Sequence, residues 1–505
     1  MKNLKWKKVG SAVLATALAG SMVLPATAYA QGEIVQLEGG TSTQTNTAPE
    51  QVFLNKYSGT VRTQNFNDNW KFYLGDASGA QTLAFDDSSW DQVNLPHDYS
   101  IDQKYNRSMD GESGYLPGGT GWYRKSFTVD KSLEGKRISI DFGGVYMNAT
   151  IYVNGKKLGT HPYGYTPFSF DITDNVKFGK ENVIAVKVDH QTPSSRFYSG
   201  SGIYRDVDFV VTDTVHVDKN GTKIETPDLK EHVDGNNVAV KVKTTVVNES
   251  ERDASVKVKH TIYPKNGTAE QAVATFESQE AVAVEKGKSK DVSADFTASG
   301  VQLWSTTTPN LYTVKTEVLM DGATVDTYET DYGFRYFAFD KNNGFTLNGQ
   351  KMKLQGVCMH HDQGALGSVA NDRSTERQVE ILKMMGCNSI RVTHNPASDE
   401  LIDACNKHGI LVIDEAFDGW VAPKNSNSND YSKWFNKKIE DGNEIMGAAE
   451  NMTWAQFDLT AMIERGQNDP AIIMWSLGNE MWEGTGGYSD DYKTAQDNLV
   501  KWAKA

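Results

Sequence analysis

Pro470-Ala471-Ile472-Ile473-Met474-Trp475-Ser476-Leu477-Gly478-Asn479-Glu480 is the stretch whose reading decides the fold of this chain. A short apolar run bounded by Pro and Gly reads as a strand buried on both faces, as in parallel sheets covered by helices. Such folds carry their chemistry at the C-terminal ends of the strands, which makes Glu480 the first catalytic candidate. Working back from it, three more strand-like runs precede His, Arg or Asp, at 353–357, 388–392 and 410–413. Helical patterns lie between them. Thr375 with Gln378 offers a capping box for a helix ended by Gly386, a second helix over 399–408 is closed by Gly409, and a third covers 448–465.

Strand alternating with helix means a parallel sheet with right-handed crossovers. A closed eight-unit barrel needs about 250 residues, so 334–505 is expected to be the first half of a (β/α)8 TIM barrel, the chain stopping inside a domain. Upstream the pattern is all-β. Over 61–217, alternating runs such as Arg137-Ile138-Ser139-Ile140-Asp141-Phe142, the turn Asn154-Gly155, and many aromatic residues predict a jelly-roll β-sandwich, with most of the aromatics in its core. Over 218–333, Val238-Ala239-Val240-Lys241-Val242-Lys243 and its relatives alternate apolar with charged residues, which suits an immunoglobulin-like β-sandwich acting as a spacer.

Residues 1–30 carry Lys2, Lys5, Lys7 and Lys8 before an apolar run and end in Ala28-Tyr29-Ala30, the pattern of a secretory signal peptide. That predicts a secreted or cell-surface protein with no membrane span once the leader is cleaved. The polar stretch 31–60 reads as a linker. A net charge of -14 leaves no basic surplus for nucleic acid or an anionic membrane and suits a neutral substrate. Cys358, Cys387 and Cys405 are too few and too irregularly spaced for disulfides or a metal site, and read as buried thiols.

The strand ends share one rim in a parallel barrel. His360, His361 and Asp362 follow the first strand, Arg391 and His394 lie at the second, Asp414 and Glu415 at the third, Asn479 and Glu480 at the fourth. Rich in hydrogen-bonding groups and poor in Lys, this rim suits a polyhydroxylated substrate. Asp414, Glu415 and His361 can equally be rim hydrogen bonds or helix caps.

Trp475-Ser476-Leu477-Gly478-Asn479-Glu480, Gly356-Val357-Cys358-Met359-His360-His361-Asp362 and Ser389-Ile390-Arg391-Val392-Thr393-His394-Asn395-Pro396 resemble barrel signatures of glycoside hydrolase family 2. Gly121-Trp122-Tyr123-Arg124-Lys125 and Ser201-Gly202-Ile203-Tyr204-Arg205-Asp206-Val207 resemble its N-terminal domain, and the likeness is nearest to secreted bacterial β-galactosidases. The resemblance implies a retaining glycosidase. Glu480 matches the acid/base, Asn479 the residue that binds the sugar's 2-hydroxyl, and Arg391 the residue that orients the nucleophile. His360 and His394 match sugar-binding histidines, and Arg205 and Asp206 match the loop by which the first domain enters the pocket. The partner carboxylate stands well beyond Glu480 in the family, and Glu483, Asp490 and Asp491 are too near Glu480 to cross a barrel mouth. This predicts an inactive or nearly inactive polypeptide when alone. Some family members hold a divalent cation through a Glu and a His after strand three, but 414–421 has no His, so no metal or other cofactor is expected. The expected partner is a β-galactoside, with a β-glucuronide or β-mannoside next, or a carbohydrate bound without turnover. No oligomeric state is assigned.

Overall fold

The structure, a computed structural model, describes residues 51–53, 62–481 and 489–505. The signal-peptide segment and Glu483 lie outside them. So does most of the expected linker, except that Gln51–Phe53 pairs in parallel with Phe127–Val129, so the chain has joined a sheet by that point.

The first sandwich packs two sheets. One contains Trp70–Leu74, Gly119–Val129, Glu181–His190, Ala149–Val153 and Lys156–His161, and the other contains Thr63–Asn65, Val207–Thr212, Arg137–Phe142 and Phe168–Asp171. Alternation in Arg137–Phe142 turns Ile138, Ile140 and Phe142 inward, each fully buried. Trp90, Trp122, Tyr123, Tyr146, Tyr163, Tyr165, Phe168 and Phe170 are all buried as expected, each contributing roughly 1.5–3 kcal/mol through removal of its apolar surface from water. Asn154 and Gly155 take positive φ values of 50° and 89° and close the hairpin between Ala149–Val153 and Lys156–His161.

The second sandwich faces Val215–Glu225, Val238–Asn248 and Lys288–Ala298 against a sheet built on Ala254–Pro264, Tyr312–Met320 and Ala323–Tyr332. Its first strand runs across the boundary expected after Val217, through a register shift before Thr222.

Four strands, Gly356–Met359, Ser389–Val392, Leu411–Glu415 and Ile472–Ser476, then pair in parallel in chain order. Helices Asp372–Met384, Asp399–His408, Trp454–Gly466 and Asp490–Ala503 accompany them. Ser398 caps Asp399–His408, and Gly409 ends it in the left-handed region at φ 69°. The first helix starts earlier than Thr375. Asn371 is its cap, accepting from the Ser374 N–H, and Thr375 is buried within it. Two expectations of burial fail on this sheet. Met474 is 41% exposed, and Cys358, on an edge strand, is also exposed, because among the described residues nothing covers them. Cys405 is buried.

The first sandwich and the sheet share one core, in which Tyr163 and Phe168 of the sandwich join Phe417, Tyr431 and Trp454. A buried polar joint pins the two together. His161 Nε2 lies 2.8 Å from Asp458 Oδ1, both side chains fully enclosed, and Tyr431 donates to the other Asp458 oxygen. No described helix is long and apolar enough to cross a membrane.

Candidate active site

Each strand end delivers its polar residue to the same rim, and Glu415 is the hub. Its fully buried carboxylate accepts from Arg391 Nε and Nη2 at 3.2 and 2.7 Å and from Ser476 Oγ at 2.6 Å, and it lies 2.6 Å from His394 Nδ1. Burial opposes ionisation, but the hydrogen bonds from His394, Ser476 and Arg391 outweigh it and hold the carboxyl below its ordinary range. Arg391 Nη2 also donates to Asn479 Oδ1 at 3.1 Å, and Asn479 Nδ2 donates to Asp418 Oδ1 at 3.1 Å. The Asn479 amide is thereby held at both ends, and the residue is buried.

Glu480 follows in the left-handed region, φ 46°, a conformation uncommon for a non-glycine residue and concentrated at functional sites. Its side chain is 51% exposed. Gly478 just before has no room for a side chain, since an added Cβ would stand 2.7 Å from the indole nitrogen of Trp420, which itself donates to Leu477 O.

The structure brings Glu480, Asn479, Arg391, His394 and His360 into one neighbourhood. The His360 and His394 rings lie 5.5 Å apart, with Phe197 between them at 4.1 and 5.2 Å. Burial, then His394, pushes His360 below its ordinary pKa, which favours the neutral ring.

Arg205 and Asp206 are elsewhere, and the expected entry point of the first sandwich is corrected. Arg205 is 1% exposed and donates to the carbonyls of Tyr165, Ala397, Gly143 and Pro396, so it cannot touch a ligand. It anchors the turn after His394 instead. Asp206 accepts from Asn67 Nδ2 at 2.9 Å, and burial and then the charge of Asp372 push its carboxyl upward. The sandwich enters the site nine residues before Arg205. Arg196 forks onto Asp418, Nε to Oδ2 at 2.9 Å and Nη2 to Oδ1 at 2.7 Å, and reaches Glu480 Oε2 at 3.4 Å. Lys424 donates to the Asn479 carbonyl and approaches Asp418 at 3.4 Å. The sequence reading missed Arg196, Phe197, Asp418 and Lys424. The one available signal was an Arg-Phe pair inside a Pro-, Ser- and Gly-rich segment between two strong strands.

Asp414 and His361 are structural. Asp414 accepts from Ala397 N and Arg465, and His361 packs on Tyr165 with ring centroids 4.9 Å apart. Glu415 and Asp418, the carboxylates after the third strand, already carry protein cations, so they do not fit a divalent ion. Of two other clusters, Glu376 and Glu380 are paired with Arg373, Glu376 also with Lys407 and His408, and Asp206, Asp372 and Glu400 include first-turn residues of two helices; neither cluster touches Glu480 in this network. Larger hollows of about 420 and 660 Å³ border the second sandwich, where charges such as Arg137 with Asp171 and Lys265 with Asp331 are paired.

With this geometry in place, three comparisons bear on it. Residues 62–213 match the sugar binding domain of glycosyl hydrolases family 2, 222–335 the family's middle domain, and 340–505 its TIM barrel domain. The chain is 42% identical over 422 residues to the beta-galactosidase BoGH2A of Bacteroides ovatus, covering 83% of this chain and 46% of that protein. It is 30% identical to a beta-glucuronidase of Formosa agariphila, covering 70% of this chain and 38% of that protein. A crystal structure of a glycosyl hydrolase family 2 member from Bacteroides cellulosilyticus superposes with a TM-score of 0.80 at 37% identity, over 88% of this chain and 55% of that one. The chain thus spans about half the length, or less, of these two relatives. Its three domains, in this order, and the polar rim at the strand ends make it a member of glycosyl hydrolases family 2.

Proposed function

We propose that this chain carries the acid/base side of a retaining glycosidase site for terminal β-galactosides. The observation that carries the reading is the pair at the fourth strand end, Asn479 fixed by Arg391 and Asp418 with Glu480 rising half-exposed beside it. A retaining glycosidase needs a protonated acid at the leaving oxygen and a second carboxylate about 5 to 5.5 Å away to attack the anomeric carbon. Glu480 gives its proton to the glycosidic oxygen, which takes the electrons of the breaking C–O bond and leaves as an alcohol. The resulting Glu480 carboxylate then takes a proton from the water that releases the sugar. Asn479 serves the 2-hydroxyl, His360 and His394 line the sugar, and Arg391 keeps Asn479 and Glu415 in register. Glu415 and Asp418 are each held by cations and are poor attackers. We place the attacking carboxylate outside the described residues.

A neutral sugar is favoured because Arg196, Arg391 and Lys424 are all paired with Asp418 or Glu415, leaving none of these three unpaired for a sugar carboxylate. The name of BoGH2A supports the galactoside, and the name of the Formosa relative supports a second reading, a β-glucuronide. The leader-like segment 1–30 supports action outside the cytoplasm. Calorimetric binding of an aryl β-galactoside and an aryl β-glucuronide to the protein and to Glu480→Gln tests the assignment. Preferential galactoside binding that changes with Glu480→Gln supports it. Preferential glucuronide binding moves the reading to the second substrate, and galactoside binding indifferent to Glu480 indicates a non-catalytic binder. Turnover of the aryl β-galactoside through a covalent glycosyl adduct on one of the described carboxylates would refute the placement of the attacking carboxylate.

A further inference from the structure

We infer that Arg196 is a positioning residue for Glu480, so that the first sandwich supplies part of the acid/base apparatus. The inference rests on the reading of Glu480 as proton donor. Arg196 lies between the strands Glu181–His190 and Val207–Thr212, in a segment that is clamped rather than free. Asp98, 1% exposed, accepts from Ser201 N at 2.9 Å, from the Tyr198 hydroxyl at 2.6 Å, and from Ser368 N of the barrel at 3.0 Å. His190 sits within 2.6 Å of Ser201 Oγ and 2.8 Å of Ser194 Oγ. The backbone on either side of Arg196 is therefore tied both to its own sandwich and to the loop after the first barrel strand.

The guanidinium is fixed from the other side as well. Its fork on Asp418 uses Nε and Nη2, and Asp418 is in turn held by Asn479 and Lys424. That leaves hydrogens on Nη1 and Nη2 to face Glu480 Oε2, at 3.5 and 3.4 Å. These distances exceed the roughly 2.7–2.9 Å of a tight charge-assisted hydrogen bond. Arg196 thus guides the carboxylate without locking it, which a group that must give and take a proton requires. When Glu480 releases its proton, a fixed cation already stands beside the charge that forms, with no reorganisation needed. A lysine could not do both jobs, because its single ammonium has no planar fork with which to hold Asp418 and face Glu480 together.

A galacto-configured imidazole tests this without turnover, since its ring nitrogen occupies the place of the glycosidic oxygen and takes the proton donor's proton. Its affinity is measured by calorimetry for the 505-residue protein, Arg196→Met, Arg196→Lys, Glu480→Gln, and the double variant Arg196→Met/Glu480→Gln. Arg196→Met leaves Asp418 with Lys424 and Asn479, so its melting midpoint should stay close to that of the parent. Binding should weaken roughly three- to tenfold in Arg196→Met, as for a partly exposed ion pair that becomes enclosed by ligand. Arg196→Lys should fall between, and in the Glu480→Gln background the same Arg196 change should matter less than about twofold. An equal loss in both backgrounds, or no loss in the parent, overturns the inference. Parent protein that does not bind the imidazole, or binding that Glu480→Gln leaves unchanged, overturns the acid/base reading itself.

Discussion

Replacing Glu415 by Gln probes the hub of the site while leaving its shape intact. The side chain is fully enclosed, and its two oxygens face Arg391, Ser476 and His394. In the variant one oxygen becomes an NH₂ group: turned toward Arg391 and Ser476 it meets their hydrogens, and turned toward His394 it requires the ring tautomer that accepts at Nδ1. Removing one partner of a buried ion pair costs about 3–5 kcal/mol. Because the Arg391 side chain is 33% exposed and can recover some hydration, about 2–3 kcal/mol is the better expectation here. At roughly 2–4 °C per kcal/mol for a domain of this size, the barrel transition in a calorimetric scan should fall by about 4–12 °C.

The pH dependence supplies a second reading from the same pair of proteins. Glu415 has a folded pKa below its ordinary 4.5, because the hydrogen bonds from His394, Ser476 and Arg391 outweigh burial. Below about pH 4.5 the unfolded chain takes up a proton there that the folded chain still refuses. The stability due to Glu415 is thus complete above that pH and is lost as pH falls toward the folded value. The gap between parent and Glu415→Gln should accordingly narrow in acid. A midpoint shift under 1 °C near pH 7, or a gap that widens on acidification, would show that the hub assignment is wrong.

Two further substitutions test local packing and burial. Gly478→Ala should lower stability by about 1–3 kcal/mol in chemical denaturation, since the new methyl must displace the buried Trp420 indole 2.7 Å away. Glu400→Gln should have the opposite sign. Burial and then Asp399 raise the Glu400 carboxyl to about 8, so between pH 4.5 and 8 the folded protein binds the extra proton and loses stability as pH rises. The variant should be more stable than the parent by about 1–3 kcal/mol at pH 8, a difference that disappears below pH 4.5 when both are melted side by side.

Much of the architecture was legible in local sequence because local physics decides it. The Asn154-Gly155 turn and the left-handed Gly409 are choices made within a few residues, and both stand where the pattern puts them. The alternation in Arg137–Phe142 and in Val238–Asn248 names the buried face of a strand before any partner is known. Strand-end position was enough to nominate Glu480, Asn479, Arg391, His394 and His360, because a parallel sheet gathers all its C-terminal ends on one side.

What tertiary structure alone decided is where irregular segments and long side chains finish. Arg196 and Arg205 stand nine residues apart on one connection, with nothing in composition to separate them, yet one faces Glu480 and the other is walled in by four backbone carbonyls. Asn371 rather than Thr375 caps its helix, and Cys358 and Met474 are exposed, because pairing and cover come from segments distant in the chain. Periodicity reports which way a residue points from its own strand or helix; the charge that waits there belongs to another part of the fold.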